Sequence, residues 1–309
     1  MSENDKYFES DEFKEIFKRY EAARKRGESP YFDPEELTDI AEYYSMYGNV
    51  EAAVEAAELG TRMFPGAAEP LAFLARMAMH NEDDIDRAEE LIEEIDDKTH
   101  PEYHYVRAEF MIFCGEHDAA EDYLNQQLDN LDDEDEREDF ILDVATLYAD
   151  YDHYEMAAKW LRRSSLTDDP DYKELVGRIA MHTGNYEESE RIFNELIDSD
   201  PYSTPYWNHL ASTQLMHGNI RDSIQSSEFS IAINPDDAEA ILNKANGLFS
   251  LGNYHDAREF YRRYAQLYPG EETGELYQGI CCMNENLIDE GIDHLRRASS
   301  ADTKRSQPP

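Results

Sequence analysis

His100 and His104 are the first residues to weigh for chemistry. They lie four apart and could share one helix face, and imidazole is a common metal ligand. Pro101 between them marks a helix start, and neither a cysteine nor a third histidine accompanies them, so a capping or solvent-facing pair is the better reading. The three cysteines are Cys114, Cys281 and Cys282. The adjacent pair suits packing, since a free thiol behaves as a small hydrophobe, with redox sensing as the alternative. Paired carboxylates abound, but with 70 Asp and Glu in 309 residues any spacing arises by chance. No phosphate-binding loop, dinucleotide fingerprint, Gly-x-Ser-x-Gly or His-Glu-x-x-His run is present. The expectation is a non-enzyme with no catalytic residue, no cofactor and no metal.

A longer spacing is more informative. Gly184-Asn185, Gly218-Asn219 and Gly252-Asn253 recur every 34 residues, and Pro201, Pro235 and Pro269 each follow by 17. Gly48 with Pro65 repeats the pattern, Gly115 opens another copy, and Asp83, Asp152 and Asn286 fill the glycine slot of three weaker ones. The intervals between slots are 35, 32, 37, 32, 34, 34 and 34, irregular in front and regular behind. Five residues after the slots stand Ala53, Ala88, Ala120, Ala157, Ser189, Ser223, Ala257 and Gly291, all small. Seven before them stand Ala41, Arg76, Ala108, Ala145, Gly177, Ala211, Ala245 and Gly279; Ala75 beside the odd Arg76 predicts a turn one residue longer there. Small residues at fixed places let two helices approach closely.

A period of this length marks a stacked helical repeat. The sixth unit shows its parts. Thr204-Pro205 opens a helix, Trp207, Leu210, Ala211 and Leu215 follow at helical spacing, and Gly218-Asn219 turns the chain. Ser223, Ile224, Ser227 and Ile231 line a second helix, which Asn234-Pro235 stops. Nothing alternates with period two, so no strands are expected.

Trp207-x-x-Leu210-Ala211, the Gly-Asn turn, the small residue five later and the closing proline together resemble the tetratricopeptide repeat family over roughly residues 34 to 300. The resemblance is strong for units one and five to seven and weaker for the others. It implies an all-α, right-handed superhelical solenoid of about eight helix-turn-helix units. It also implies a groove, lined by each unit's first helix, that holds an extended peptide or a partner helix. Carried onto this chain, the groove of units five to eight would use Arg178, Met181, His182, Asn208, Ser212, Met216, Leu242, Asn246, Phe249, Ile280 and Met283. Unit three would offer Tyr105, Glu109, Ile112 and Phe113, and unit four Leu142 and Thr146. The competing reading is that these side chains fill the space between successive first helices. Some relatives clamp a terminal carboxylate with lysines on first helices; Lys173 and Lys244 do not fall in the order such a clamp needs.

The formal net charge is −42. From Gly27 to Ala158, 38 Asp or Glu face 6 Lys or Arg, with the densest run at Asp132–Glu136. Such a front half is either a solvated face or a docking strip for a basic partner, and it disfavours nucleic acid, whose phosphates it would repel. A salt-adapted protein is a third reading. No apolar leader or membrane-length run is visible, and the odd cysteine count suits a reducing compartment, so cytoplasm is expected.

The expected organisation is a disordered segment 1–10, an amphipathic capping helix 11–28, repeats over 34–300 and a disordered tail 301–309. Within the repeats the acidic, divergent part is 34–169 and the regular part 170–300. Phe13, Ile16, Phe17, Tyr20 and Ala23 form the helix's apolar stripe, which would cap the first unit, lie in the groove or join two copies. The functional expectation is an interaction scaffold or adaptor for other proteins or peptides. A self-assembling structural element and a regulatory subunit of an enzyme complex remain as alternatives.

Overall fold

Each repeat turns on one residue held at positive φ. The angle is 71° at Gly48, 78° at Gly115, 80° at Gly184, 88° at Gly218 and 75° at Gly252. Asp152 and Asn286 occupy the same slot at 60° and 61°. Their short polar side chains are the non-glycine type that tolerates this region best. The computed structural model describes residues 7–8, 10–26, 31–82, 84–268 and 271–305, so the slot at Asp83 and the closing Pro269 lie outside the described residues.

The chain is all-α, a repeat of antiparallel helix pairs. It divides into two compact units, one ending at Leu166 and the other beginning at Thr167. The front unit holds α1 (Asp11–Arg26), α2 (Pro34–Met46), α3 (Val50–Met63), α4 (Ala68–Met77), α5 (Ile85–Glu93), α6 (Pro101–Phe113), α7 (His117–Asn130), α8 (Glu134–Asp150) and α9 (Tyr154–Leu161). The back unit holds α10 (Pro170–His182), α11 (Tyr186–Ser199), α12 (Thr204–His217), α13 (Ile220–Ile233), α14 (Ala238–Ser250), α15 (Tyr254–Leu267), α16 (Glu272–Asn284) and α17 (Ile288–Arg305). In both units the even-numbered helices are the first of each pair.

The two small-residue columns sit where the helices of a pair touch. Ala53, Ala88, Ala120, Ala157, Ser189, Ser223 and Ala257 have no exposed surface. At Gly177 and Gly279 even one added carbon would come within 2.8 Å of Phe193 and Leu295. In the second pair Ala75 takes the buried place and Arg76 points elsewhere. The cause is a wide π-type turn at Ala78–Glu82, which inserts the extra residue after α4.

Capping chemistry fixes the helix starts. Asp33 and Glu36 form a reciprocal capping box on α2, while Asp133, Asp169 and Asp237 each accept backbone N–H bonds at the starts of α8, α10 and α14. The helix α1 lays its aromatic stripe on α2, with Phe17 4.7 Å from Tyr43 and Tyr20 5.8 Å from Phe32 between ring centres. Arg19 pairs with Glu36 at 2.7 Å and Arg24 with Glu55 at 2.5 Å. At the other end α17 continues to Arg305, five residues into the segment expected to be a disordered tail; no proline or glycine interrupts 301–305. Residues 306–309 lie outside the described residues.

The interiors differ. In the front unit one apolar cluster runs from Phe8 on to Phe110, and Tyr148 and Trp160 are fully buried between α8 and α9. Among the described residues of the back unit, one apolar group gathers around Phe193 and Leu210 and another around Tyr261 and Cys281. Between them lies a polar layer of Ser189, Thr213, Gln214, Ser223, Ser226, Ser227, Ser230 and Asp237, all buried.

Candidate functional site

The candidate surfaces are the first-helix faces of each unit, because these helices carry groups that neither the pair-closing columns nor the core consumes. On the front unit, Arg76 of α4 is the hub. Its Nε donates to Glu109 of α6 at 2.7 Å, and its other end lies 2.5 Å from Glu102. Tyr151, just past α8, donates to the other oxygen of Glu109 at 3.1 Å and sits 2.7 Å from His80 of the π-type turn. Burial alone would raise the Glu109 pKa, but the hydrogen bond with His80 and the charge of Arg76 hold it below the ordinary carboxylate value.

Beside this hub opens a recess of about 380 Å³, walled by α4, α6 and α8. Tyr105 and Asp143 form one wall, the Tyr105 hydroxyl donating to Asp143 Oδ2 at 2.6 Å while its ring stacks 5.7 Å from Phe140. Thr146, Leu147 and Asp150 line the far side. Lost hydration pushes Asp143 up, and the like charges of Asp139 and Glu102 push it further, against an opposing effect of Tyr105. Glu42 on α2 is raised for the same first reason, with Arg76 opposing.

The back unit's face is of another kind. Glu174 of α10 and His209 of α12 approach to 3.5 Å. Burial works against the charged form of Glu174, yet the bond with His209 and the charges of His209 and Arg178 keep its pKa low. Glu239 of α14 is reached by solvent but crowded by neighbouring groups, and lost hydration raises it.

The sequence-predicted groove residues separate into two groups here. Asn208 is buried and donates to both oxygens of Asp237, at 3.2 and 3.0 Å. Ser212 accepts from Asn243 at 3.0 Å, and Asn246 accepts from Tyr261 at 2.7 Å. Phe249 meets Tyr254, Tyr261 and Tyr277 edge-on, and Met181 is buried. These five hold the unit together. Met216 and Met283 are 49% and 40% exposed, His182 is exposed, and Arg178, Leu242 and Ile280 are half-buried. That second group is what a ligand can reach. Lys244 is drawn onto Glu228 at 2.8 Å and over Phe260 at 4.4 Å, and Lys173 lies 3.8 Å from Asp168, so neither is placed as a carboxylate clamp.

Other sequence candidates take structural roles. His100 Nδ1 caps α6 by accepting from the Glu102 N–H at 3.2 Å, and His104 pairs with the Tyr123 hydroxyl at 2.6 Å. Cys281 and Cys282 are fully buried, Cys281 with its thiol pushed up to about 12 by burial. Arg258 donates to the Cys282 sulfur at 3.2 Å. Sequence reasoning missed Arg76, His80, Tyr151, His209 and Glu239. Arg76 had a signal, since it was the one large residue in a small-residue column; the others had none.

Residues 171–203 and 210–272 match two tetratricopeptide repeat models. The chain is 25% identical over 161 residues to the Protein CTR9 homolog of Arabidopsis thaliana, a stretch that is 50% of this chain but 15% of that relative. The chain thus spans a small part of that relative's length. A crystal structure of MamA aligns with a TM-score of 0.47 at 19% identity, over 53% of this chain and 96% of MamA. MamA from Desulfovibrio magneticus RS-1 gives 0.48 at 14%, over 55% and 97%. TTC0263, a thermophilic TPR protein of Thermus thermophilus, gives 0.46 at 13%, over 55% and 97%. Likenesses of that degree carry no weight for function. Among the described residues no helix is long and apolar enough to cross a membrane.

Proposed function

We propose that this chain, whose residues 171–203 and 210–272 match tetratricopeptide repeat models, is a non-enzymatic scaffold whose first-helix faces hold a peptide, a helix or a domain of a partner protein. One observation carries this reading. On first helices of the back unit, His182, Met216 and Met283 are exposed and Arg178 is half-buried, while Asn208, Asn246 and Phe249 of the same face are taken up by the fold. Exposed methionine suits such a surface, because its flexible thioether repacks against varied partners. The mixed charges of Glu174, Arg178, His209 and Glu239 would then orient the bound segment.

The test is capture from the native cell by the immobilised full chain, with bound proteins identified. Changing Arg178, Met216 and Met283 together to alanine should lose a specific partner while thermal unfolding stays within a few degrees. A partner retained undiminished would sink the back-face reading. Asn208, Asn246 and Phe249 are poor choices for this experiment, since their side chains brace the fold.

Self-association is favoured by a separate observation. The last helix pair exposes Leu287, Ile288 and Ile292 at 37%, 45% and 38%. Light scattering on the full chain and on Ile288→Glu with Ile292→Glu tests it: an assembly that dissolves in the variant supports it, and a monomer in both rejects it.

A further inference from the structure

We propose that the front-unit recess between α6 and α8 is a docking site for the lysine or arginine side chain of an extended basic segment in a partner protein. This rests on the scaffold reading but places a second, chemically distinct contact on the other unit.

Three properties of the recess point to that occupant. It has room, about 380 Å³, enough for one long side chain. Its walls suit both ends of such a side chain. Leu147 and the ring of Tyr105, which is backed by Phe140, offer apolar and aromatic surface for the stem, and a tyrosine face attracts a cation. Asp143 and Asp150 offer carboxylates for the head.

The charge is also unbalanced. Arg76 is the only Lys or Arg among the residues lining the recess, and Glu102 and Glu109 already hold it at 2.5 and 2.7 Å. Asp143 is left with a tyrosine hydroxyl at 2.6 Å, and Asp139 and Glu102 crowd it with like charge. An incoming cation would restore what Asp143 lost on leaving water. A phosphate or a carboxylate would meet repulsion instead, because the one guanidinium is taken. The built part of the site is Glu109, 7% exposed and fixed by Arg76, His80 and Tyr151, so the wall is rigid before any ligand arrives.

The probe is a fluorescein-labelled peptide of alternating arginine and serine, read by anisotropy on the full-length protein. Versions with glutamine or glutamate for arginine serve as comparisons. Asp143→Asn with Asp150→Asn should weaken the arginine peptide about tenfold, as expected for removing charged partners from a close pair. Thr146→Trp, which fills the recess without changing charge, should weaken it by a similar factor. Asp222→Asn with Asp289→Asn removes the same charge from exposed sites of the back unit and should change it less than about twofold.

Thermal unfolding of each variant confirms that it folds. The recess is overturned if the glutamine peptide binds as tightly as the arginine peptide. It is overturned equally if both recess variants behave like the back-unit control, which would leave only diffuse attraction to an acidic protein. Because the probe is synthetic, either result leaves partner capture by Arg178, Met216 and Met283 untouched, and loss of that capture leaves the recess untouched.

Discussion

The front and back units use the same backbone plan with opposite interiors. The back unit has the stricter sequence, with slots 34 residues apart, yet its apolar groups are small and separated by a layer of hydroxyls and amides. The front unit drifts between 32 and 37 residues per repeat and buries one large aromatic and aliphatic cluster from Phe8 to Phe110, with Tyr148 and Trp160 fully buried beyond it. Repeat regularity is therefore set by the turn and by the close-approach positions, not by how apolar the interior is. Serine satisfies a size rule as well as alanine does, but each buried hydroxyl must find a partner or cost free energy.

If that contrast holds, cavities should hurt most in front. Trp160 is fully buried, with Phe140 edge-on at 6.3 Å and the Arg163 guanidinium 3.9 Å from its ring. Trp160→Ala should cost about 3–5 kcal/mol. In a repeat array the loss stays near its source, so hydrogen exchange should quicken in α8 and α9 and leave the amides of the back unit protected. Uniform quickening of both units would break the contrast.

The next effect comes from the front unit's buried charges. Arg76→Met leaves Glu109 without its main cation; breaking a fully buried pair costs about 3–5 kcal/mol, and because the Arg76 side chain is 31% exposed a loss of about 1–3 kcal/mol is expected. Adding Glu109→Leu should recover most of that, giving a coupling that urea unfolding of the four proteins can read. A single-variant cost under about 0.5 kcal/mol would mean that the hub is a surface pair.

Much of the architecture was legible because it depends on local rules. A residue at positive φ needs glycine, Asp or Asn, and a helix crossing needs alanine, serine or glycine; both demands fall at fixed intervals and survive drift. The extra residue of the π-type turn at Ala78–Glu82 showed through Arg76 standing one place off its column. The candidate site was less legible. Position on a first helix says which way a side chain leaves the backbone, not whether a neighbour takes it up. Asn208 and Met216 lie eight residues apart on the same helix, yet Asp237 holds the first and solvent meets the second. Tyr151 reaches Glu109 across 42 residues of sequence, a partnership that no spacing announces.

In the back unit the polar layer supplies the smaller effects. Ser230 donates to Asp237 at 2.7 Å, inside the group that also takes Asn208. Ser230→Ala should cost about 1–3 kcal/mol, because a buried carboxylate loses a donor. An unchanged midpoint in chemical unfolding would show that the layer is not structural.

The front unit offers a change of opposite sign. Burial raises the folded pKa of Glu42, so its ionised form opposes folding above the raised value, while below the ordinary value it is neutral in both states. Glu42→Gln should raise Tm slightly at neutral pH and leave it unchanged well below about pH 4. A rise that persists at low pH would assign the gain to packing.

Ser223→Ala tests the size rule most directly. Ser223 has no exposed surface, and its hydroxyl finds no hydrogen-bond partner among the described residues. Its own backbone carbonyl accepts from Ser227 at 2.9 Å, a bond the substitution leaves intact. If the position demands only smallness, alanine removes an unsatisfied hydroxyl and should stabilise by up to about 1 kcal/mol. Ser230→Ala, further along the same helix, should move stability the other way. Two serines of one helix would then differ in sign because one hydroxyl has a partner and the other has none. A loss of more than about 0.5 kcal/mol at Ser223 would instead reveal a donor or acceptor for its hydroxyl, and the polar layer of the back unit would be more fully bonded than its side chains alone account for.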